Sequence, residues 1–119
     1  MLTAIRAERG YYMTTQKLLR RANVLINMLR ISLRERAESN TLNLYDITYD
    51  CDRHTENIND LKTTLKTVHY QLGEYSEKTY LDCYASLNEY GNKITELKEK
   101  YIQQILKAQG NTVLPERQG

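Results

Sequence analysis

Apolar residues recur in steps of three and four along most of the chain. Between residues 14 and 37, Leu18, Leu19, Ala22, Leu25, Ile26, Leu29 and Leu33 fall on one arc when the chain is wound at about 100° per residue. That is the core stripe of an amphipathic helix. A second run joins Leu44, Ile47, Cys51, His54, Ile58, Leu61, Leu65, Val68, Leu72 and Tyr75. A third joins Tyr80, Cys83, Leu87, Tyr90, Ile94, Leu97, Tyr101, Gln104 and Ala108. Alternating steps of three and four sustained over such lengths predict helices sealed along a heptad seam. His54 and Gln104 are the polar exceptions in these two runs. A polar seam residue of this kind can fix the register of a bundle.

The second and third runs are out of frame by one residue. Continuing the earlier repeat would place Thr79, Asp82, Ser86 and Glu89 in the seam, all of them polar. The frame therefore breaks between Tyr75 and Tyr80. Gly73 is suited to end a helix and Ser76 to cap a new one. A reversal here gives three helices, at about 15–37, 42–72 and 76–108, each roughly 35–50 Å long. Without it, one short helix would lie against another of about 100 Å, most of it unmatched. Matched lengths bury more surface. The expected fold is therefore an all-α, three-helix antiparallel coiled-coil-like bundle. The alternative is a long two-helix hairpin that dimerises to cover its unmatched half.

Local punctuation agrees with this division. Thr14 or Thr15 can cap the first helix, and Ser39-Asn40-Thr41 interrupts it. Residues 1–13 are expected to form an N-terminal arm, 14–108 the bundle and 109–119 a loose C-terminal tail. One segment conflicts. From Tyr45 to Asp52 apolar and polar residues alternate, which by itself is a strand pattern. It has no obvious partner strand, and the seam through Leu44, Ile47 and Cys51 fits a helix, so helix is expected. The pairs Glu74–Lys78, Glu89–Lys93 and Glu96–Lys100 have the favourable i,i+4 orientation for a solvated helical face. Gly91, inside the last helix, either permits a close backbone approach or is merely tolerated, at a cost of about 1 kcal/mol relative to alanine.

Composition sharpens the picture. A single proline, Pro115, and five glycines in 119 residues are too few turn-formers for a many-stranded fold. Ten tyrosines, with no phenylalanine or tryptophan, suit a thin core whose ring hydroxyls reach the surface. No run approaches the roughly 20 apolar residues of a membrane span. The start MLTAIRAERG lacks the apolar stretch of a signal peptide, and Cys51 and Cys83 are too few for a disulfide framework. A cytoplasmic protein with free thiols is the expectation.

Candidate chemistry is sparse. Cys51-x-x-His54 places two potential ligands on one helical face, with Cys83, Asp50 and Asp52 as possible supplements. Zinc needs three or four convergent ligands, and no second close pair exists, so Cys51 and His54 read as core residues. No phosphate-cradling loop or nucleophile constellation is present. Neither enzyme activity, nor a metal, nor any other cofactor is expected.

Charge supplies the one positive lead. Residues 1–37 hold eight Lys/Arg and two acids, a net of +6, so the rest of the chain carries −4. Opposite the core stripe of the first helix, Val24, Met28 and Ile31 form a second apolar column. Lys17, Arg20, Arg21, Arg30 and Arg34 flank it, with Asn23 and Asn27 between them. A helix apolar on two faces is either enclosed by its own bundle or docks on an outside surface. The expected function is a non-enzymatic protein–protein interaction module: an adaptor, assembly factor, chaperone or inhibitor. These eight residues would meet an acidic protein partner or a second copy in a homodimer. The alternative is a small nucleic-acid-binding regulator using the basic first helix.

Overall fold

In a computed structural model, residues 14–110 are described, and they form three helices in an up-down-up arrangement. Helix α1 spans Thr15–Glu38, α2 Leu44–Thr67 and α3 Glu77–Ala108. A π-helical turn, Val68–Leu72, extends α2. Each helix packs against the other two. The molecule measures 59 × 30 × 17 Å along its principal axes. That is well short of the rod of about 100 Å that an unbroken second helix would make. The three-helix division and the reversal near Gly73 both stand, and the two-helix alternative does not. The N-terminal arm and most of the C-terminal tail lie outside the described residues.

Each helix starts on a side-chain cap. Thr14 Oγ1 accepts the N–H of Lys17 at 3.1 Å. Asn43 Oδ1 accepts the N–H of Asp46 at 2.8 Å, while its own amide donates to the Asp46 carboxylate at 2.9 Å. Ser76 Oγ accepts the N–H of Thr79 at 3.1 Å. These contacts satisfy backbone donors that have no partner within the helix. Helix α1 ends at Ser39, and Asn40 adopts a left-handed conformation at φ 59°, which asparagine tolerates better than most residues. The second reversal uses Gly73 at φ 65°, where a side chain would be strained. Thr48 to Asp52, within the alternating segment, is regular helix. The isolated pattern yields to the bundle: a strand would turn Tyr45 and Tyr49 to the same face as Ile47 and Cys51, whereas the helix buries Ile47 and Cys51 and leaves both tyrosines exposed.

The core contains Leu18, Ala22, Ile26, Leu29 and Leu33 from α1. Helix α2 adds Ile47, Cys51, Ile58, Leu61 and Leu65, and α3 adds Tyr80, Cys83, Leu87, Ile94 and Tyr101. Among the described residues no polar or charged side chain is buried. His54 is half-buried, and its Nδ1–H donates to the Asp50 carbonyl of its own helix at 2.8 Å. The heptad frays at its ends: Leu44, Gln104 and Ala108 are exposed, while Ile102 and Ile105 pack on the core instead. A straight helix drifts about 20° per heptad from a 3.5-residue repeat. Over the four heptads from Tyr80 to Ala108 the drift approaches one helical position, which moves the buried edge to Ile102 and Ile105.

The corner after α2 is aromatic. The His69 ring stacks on Tyr80 with centroids 4.2 Å apart, and Tyr70 meets Tyr80 edge-on at 5.4 Å. His69 Nε2 lies 3.2 Å from Glu77 Oε1. These contacts join the end of α2 to the first turns of α3 across the reversal. None of the three expected ion pairs forms among the described residues: Lys78 pairs instead with Asp82 at 2.7 Å, and Lys93 sits over the Tyr90 ring at 5.3 Å from its centroid. Glu74 lies ahead of the Ser76 cap, outside the helix. Lys100 lies over Tyr101 at 5.3 Å.

A methyl group built on Gly91 meets nothing within 4 Å. Gly91 therefore serves no close approach and is merely tolerated. Gly91→Ala is expected to stabilise the protein by about 1 kcal/mol, measured by urea unfolding; a loss of stability would mean that the backbone there is constrained.

Candidate functional site

The winding of α1 puts its two apolar stripes on opposite sides. Leu18, Ala22, Leu29 and Leu33 are fully buried, whereas Val24, Met28 and Ile31 are 49%, 56% and 44% exposed. The second column is not enclosed by α2 or α3. All five flanking cations, Lys17, Arg20, Arg21, Arg30 and Arg34, are exposed as well. Seven of the eight residues singled out from the sequence thus share the outward side of one helix, and Arg30, one turn after the buried Ile26, sits at its edge.

The electrostatics of this side differ from those at the edges of the helix. Arg36 faces α2 and pairs with Asp50 at 3.1 Å and Asp46 at 3.5 Å. Lys98 similarly ties α3 to Asp52 on α2 at 3.3 Å. Part of the charge asymmetry is therefore consumed inside the bundle. Arg20, Arg21, Arg30 and Arg34 are in no ion pair among the described residues; Arg30 only touches the Asn27 side chain at 3.3 Å. Their positive field faces solvent around the apolar column.

A second surface feature was not read from the sequence. On the outward side of α2, Tyr45 and Tyr49 are 74% and 50% exposed. Their rings stack 6.1 Å apart, inclined by 14°, and the Arg53 guanidinium lies over Tyr49 at 6.0 Å. The signal was available: residues 45, 49 and 53 are spaced four apart and lie opposite the Ile47–Cys51 stripe. The strand-like alternation of the same segment masks it.

The structure offers little chemistry elsewhere. Cys51 and Cys83 are buried free thiols. Loss of solvation pushes Cys83 up to about 11. It does the same to Cys51, also to about 11; Lys98 opposes the shift, while Asp50 and Asp52 add to it. Such thiols are poor nucleophiles near neutral pH. Among the described residues no group of three or more His, Cys, Asp or Glu side chains is arranged to hold a metal ion. No helix among them is long and apolar enough to cross a membrane. An open depression of about 460 Å³ at the end of the bundle is lined by Ala37, Asn40, Leu42, Gln104, Ile105, Ala108 and Gln109, none of them ionisable.

Comparison with known protein families, curated proteins and solved structures finds no match to this chain.

The thiols give a direct check on the sealed core. With both raised from 9.0 to about 11 in the fold, stability is fully present below pH 9 and falls as the pH rises from 9 towards 11. At pH 8 the native thiols are expected to react with a disulfide reagent about a hundredfold more slowly than the urea-unfolded chain, because thiolate is scarcer by that factor. Rapid modification of either cysteine in the native protein would contradict their burial.

Proposed function

We propose that this protein is a non-enzymatic interaction module that works by docking the outward side of α1 on another protein surface. The observation that carries the reading is the exposed column Val24–Met28–Ile31 within a ring of cations. Apolar residues at positions 24, 28 and 31 present a continuous ridge of the kind a helix lays into a groove. The ridge supplies burial on association. The arginines select an acidic surface, orient the encounter and raise its rate. Arginine suits this role better than lysine, since its planar head binds carboxylates with two parallel hydrogen bonds.

The same cations could meet nucleic-acid phosphates. Three apolar residues in the middle of the face count against this, because phosphate contacts reward charge and gain nothing from Val24, Met28 or Ile31. The two modes separate by salt. Phosphate binding weakens steeply as salt rises, whereas an interface with an apolar centre retains much of its affinity.

Val24→Asp combined with Met28→Asp is expected to abolish the complexes that the native protein forms in its own cell extract. Helical circular dichroism and the unfolding midpoint should be unchanged, since both side chains are exposed. Quantitative comparison of co-purifying proteins between variant and native chain reads the first effect. Collapse of the helical signal would instead make the column part of the core. A salt-sensitive gel shift of RNA or DNA, lost on replacing Arg20 and Arg21 by glutamate, would favour the nucleic-acid reading.

A further inference from the structure

The chain itself carries a surface complementary to the α1 face. It lies on the outward side of α2. At one end of that side the stacked Tyr45 and Tyr49 rings offer a flat apolar area with polar edges. Such rings provide contact area at little cost in side-chain freedom. Farther along the same side are Glu56 and Asp60, exposed and in no ion pair among the described residues.

The spacings match. From Ile31 back to Arg20 is eleven positions on α1, and from Tyr45 forward to Glu56 is eleven on α2. Each is about 16 Å along a helix. Laid antiparallel with Ile31 on Tyr45, Met28 falls beside Tyr49 and Arg20 and Arg21 fall beside Glu56. Arg53 then meets the neutral Asn23. A methionine sulfur against a tyrosine ring is a favourable contact, and an arginine against an unpaired carboxylate is another. The parallel alternative, with Met28 on Tyr49, sets Glu56 against Glu35, acid against acid. Pairing two α1 faces about a two-fold axis centred between Val24 and Ile31 sets Arg21 against Arg34, cation against cation; Arg20 then meets Glu35 and Lys17 meets Glu38, but the Tyr45–Tyr49 stack is left uncovered. The favoured match is α1 on α2.

We infer that the α1 face receives the Tyr45–Tyr49–Glu56 face of a second copy, so that the protein assembles head to tail. This rests on the docking role proposed for α1 and names its occupant. The two faces belong to different helices, so the contact is heterologous. Each copy offers one face of each kind, and association continues until a ring closes or a filament grows.

The test uses the full chain and two double variants, with mass followed by sedimentation over a range of concentrations. Val24→Asp/Met28→Asp destroys the α1 face and keeps that of α2. Tyr45→Lys/Tyr49→Lys does the reverse. The native chain should give a concentration-dependent series of oligomers, and each variant alone should be monomeric with native circular dichroism. Mixed, the two should form a one-to-one dimer and nothing larger, because a single intact pair of faces remains. As a second route, Glu56→Arg should weaken assembly about tenfold or more. Adding Arg20→Glu and Arg21→Glu to the same chain should restore it. A native chain that stays monomeric at millimolar concentration overturns the inference while leaving a foreign acidic partner for α1. Oligomers formed by Tyr45→Lys/Tyr49→Lys alone, or a mixture that stays monomeric, overturn it too. If the native chain is monomeric and Val24→Asp/Met28→Asp also keeps every cellular partner, the docking role itself fails.

Discussion

Burial of three apolar stripes against one another is the constraint from which the rest of this structure follows. With no disulfide and no metal-ligand cluster among the described residues, it is the main force holding the helices together. Each helix commits one stripe: Leu18 to Leu33 on α1, Ile47 to Leu65 on α2 and Tyr80 to Tyr101 on α3. Three stripes close a bundle. A fourth, on the far side of α1, has nowhere to go. Met28 is next in sequence to Leu29, but the helical rotation between them separates a fully buried side chain from one more than half exposed.

The charges divide along the same line. Arg36 and Lys98, at helix edges, serve the fold by tying α1 and α3 to the acidic residues of α2. Ion pairs at the protein surface contribute little stability individually, about 0–1 kcal/mol, and these half-buried ones chiefly favour the chosen packing over others. Arg20, Arg21, Arg30 and Arg34 form no such pair among the described residues. Helix α1 thus has a face that makes the bundle and a face that the bundle leaves unused. The outward side of α2 shows the complementary case, with stacked tyrosines and with Glu56 and Asp60 in no ion pair among the described residues.

Much of this was legible in the residues, because helical periodicity reports which positions must be shielded from water. The frame shift between Tyr75 and Tyr80 located the reversal, and Gly73 and Ser76 marked its two sides. The column Val24–Met28–Ile31 was also visible, since helical winding alone places it opposite Leu29. Three features were not. The second helix starts at Leu44 rather than near residue 42, because Asn43 is the cap. The expected Glu-to-Lys pairs were misplaced: Lys78 pairs at i,i+4 in the opposite orientation, with Asp82, while Lys93 and Lys100 lie over the rings of Tyr90 and Tyr101. The Tyr45–Tyr49 stack escaped notice because tyrosine is ambiguous. Its body belongs in a core and its hydroxyl in water, and sequence periodicity weighs only the first.

The most direct test of the account compares two neighbouring truncations on α1 by urea unfolding. Leu29→Ala is expected to cost about 2–5 kcal/mol, since it leaves a cavity where the three helices meet. Met28→Ala should change stability by no more than about 0.5 kcal/mol. Comparable losses at the two positions would place Met28 inside the protein's own core and contradict the claim that α1 keeps one face for a partner.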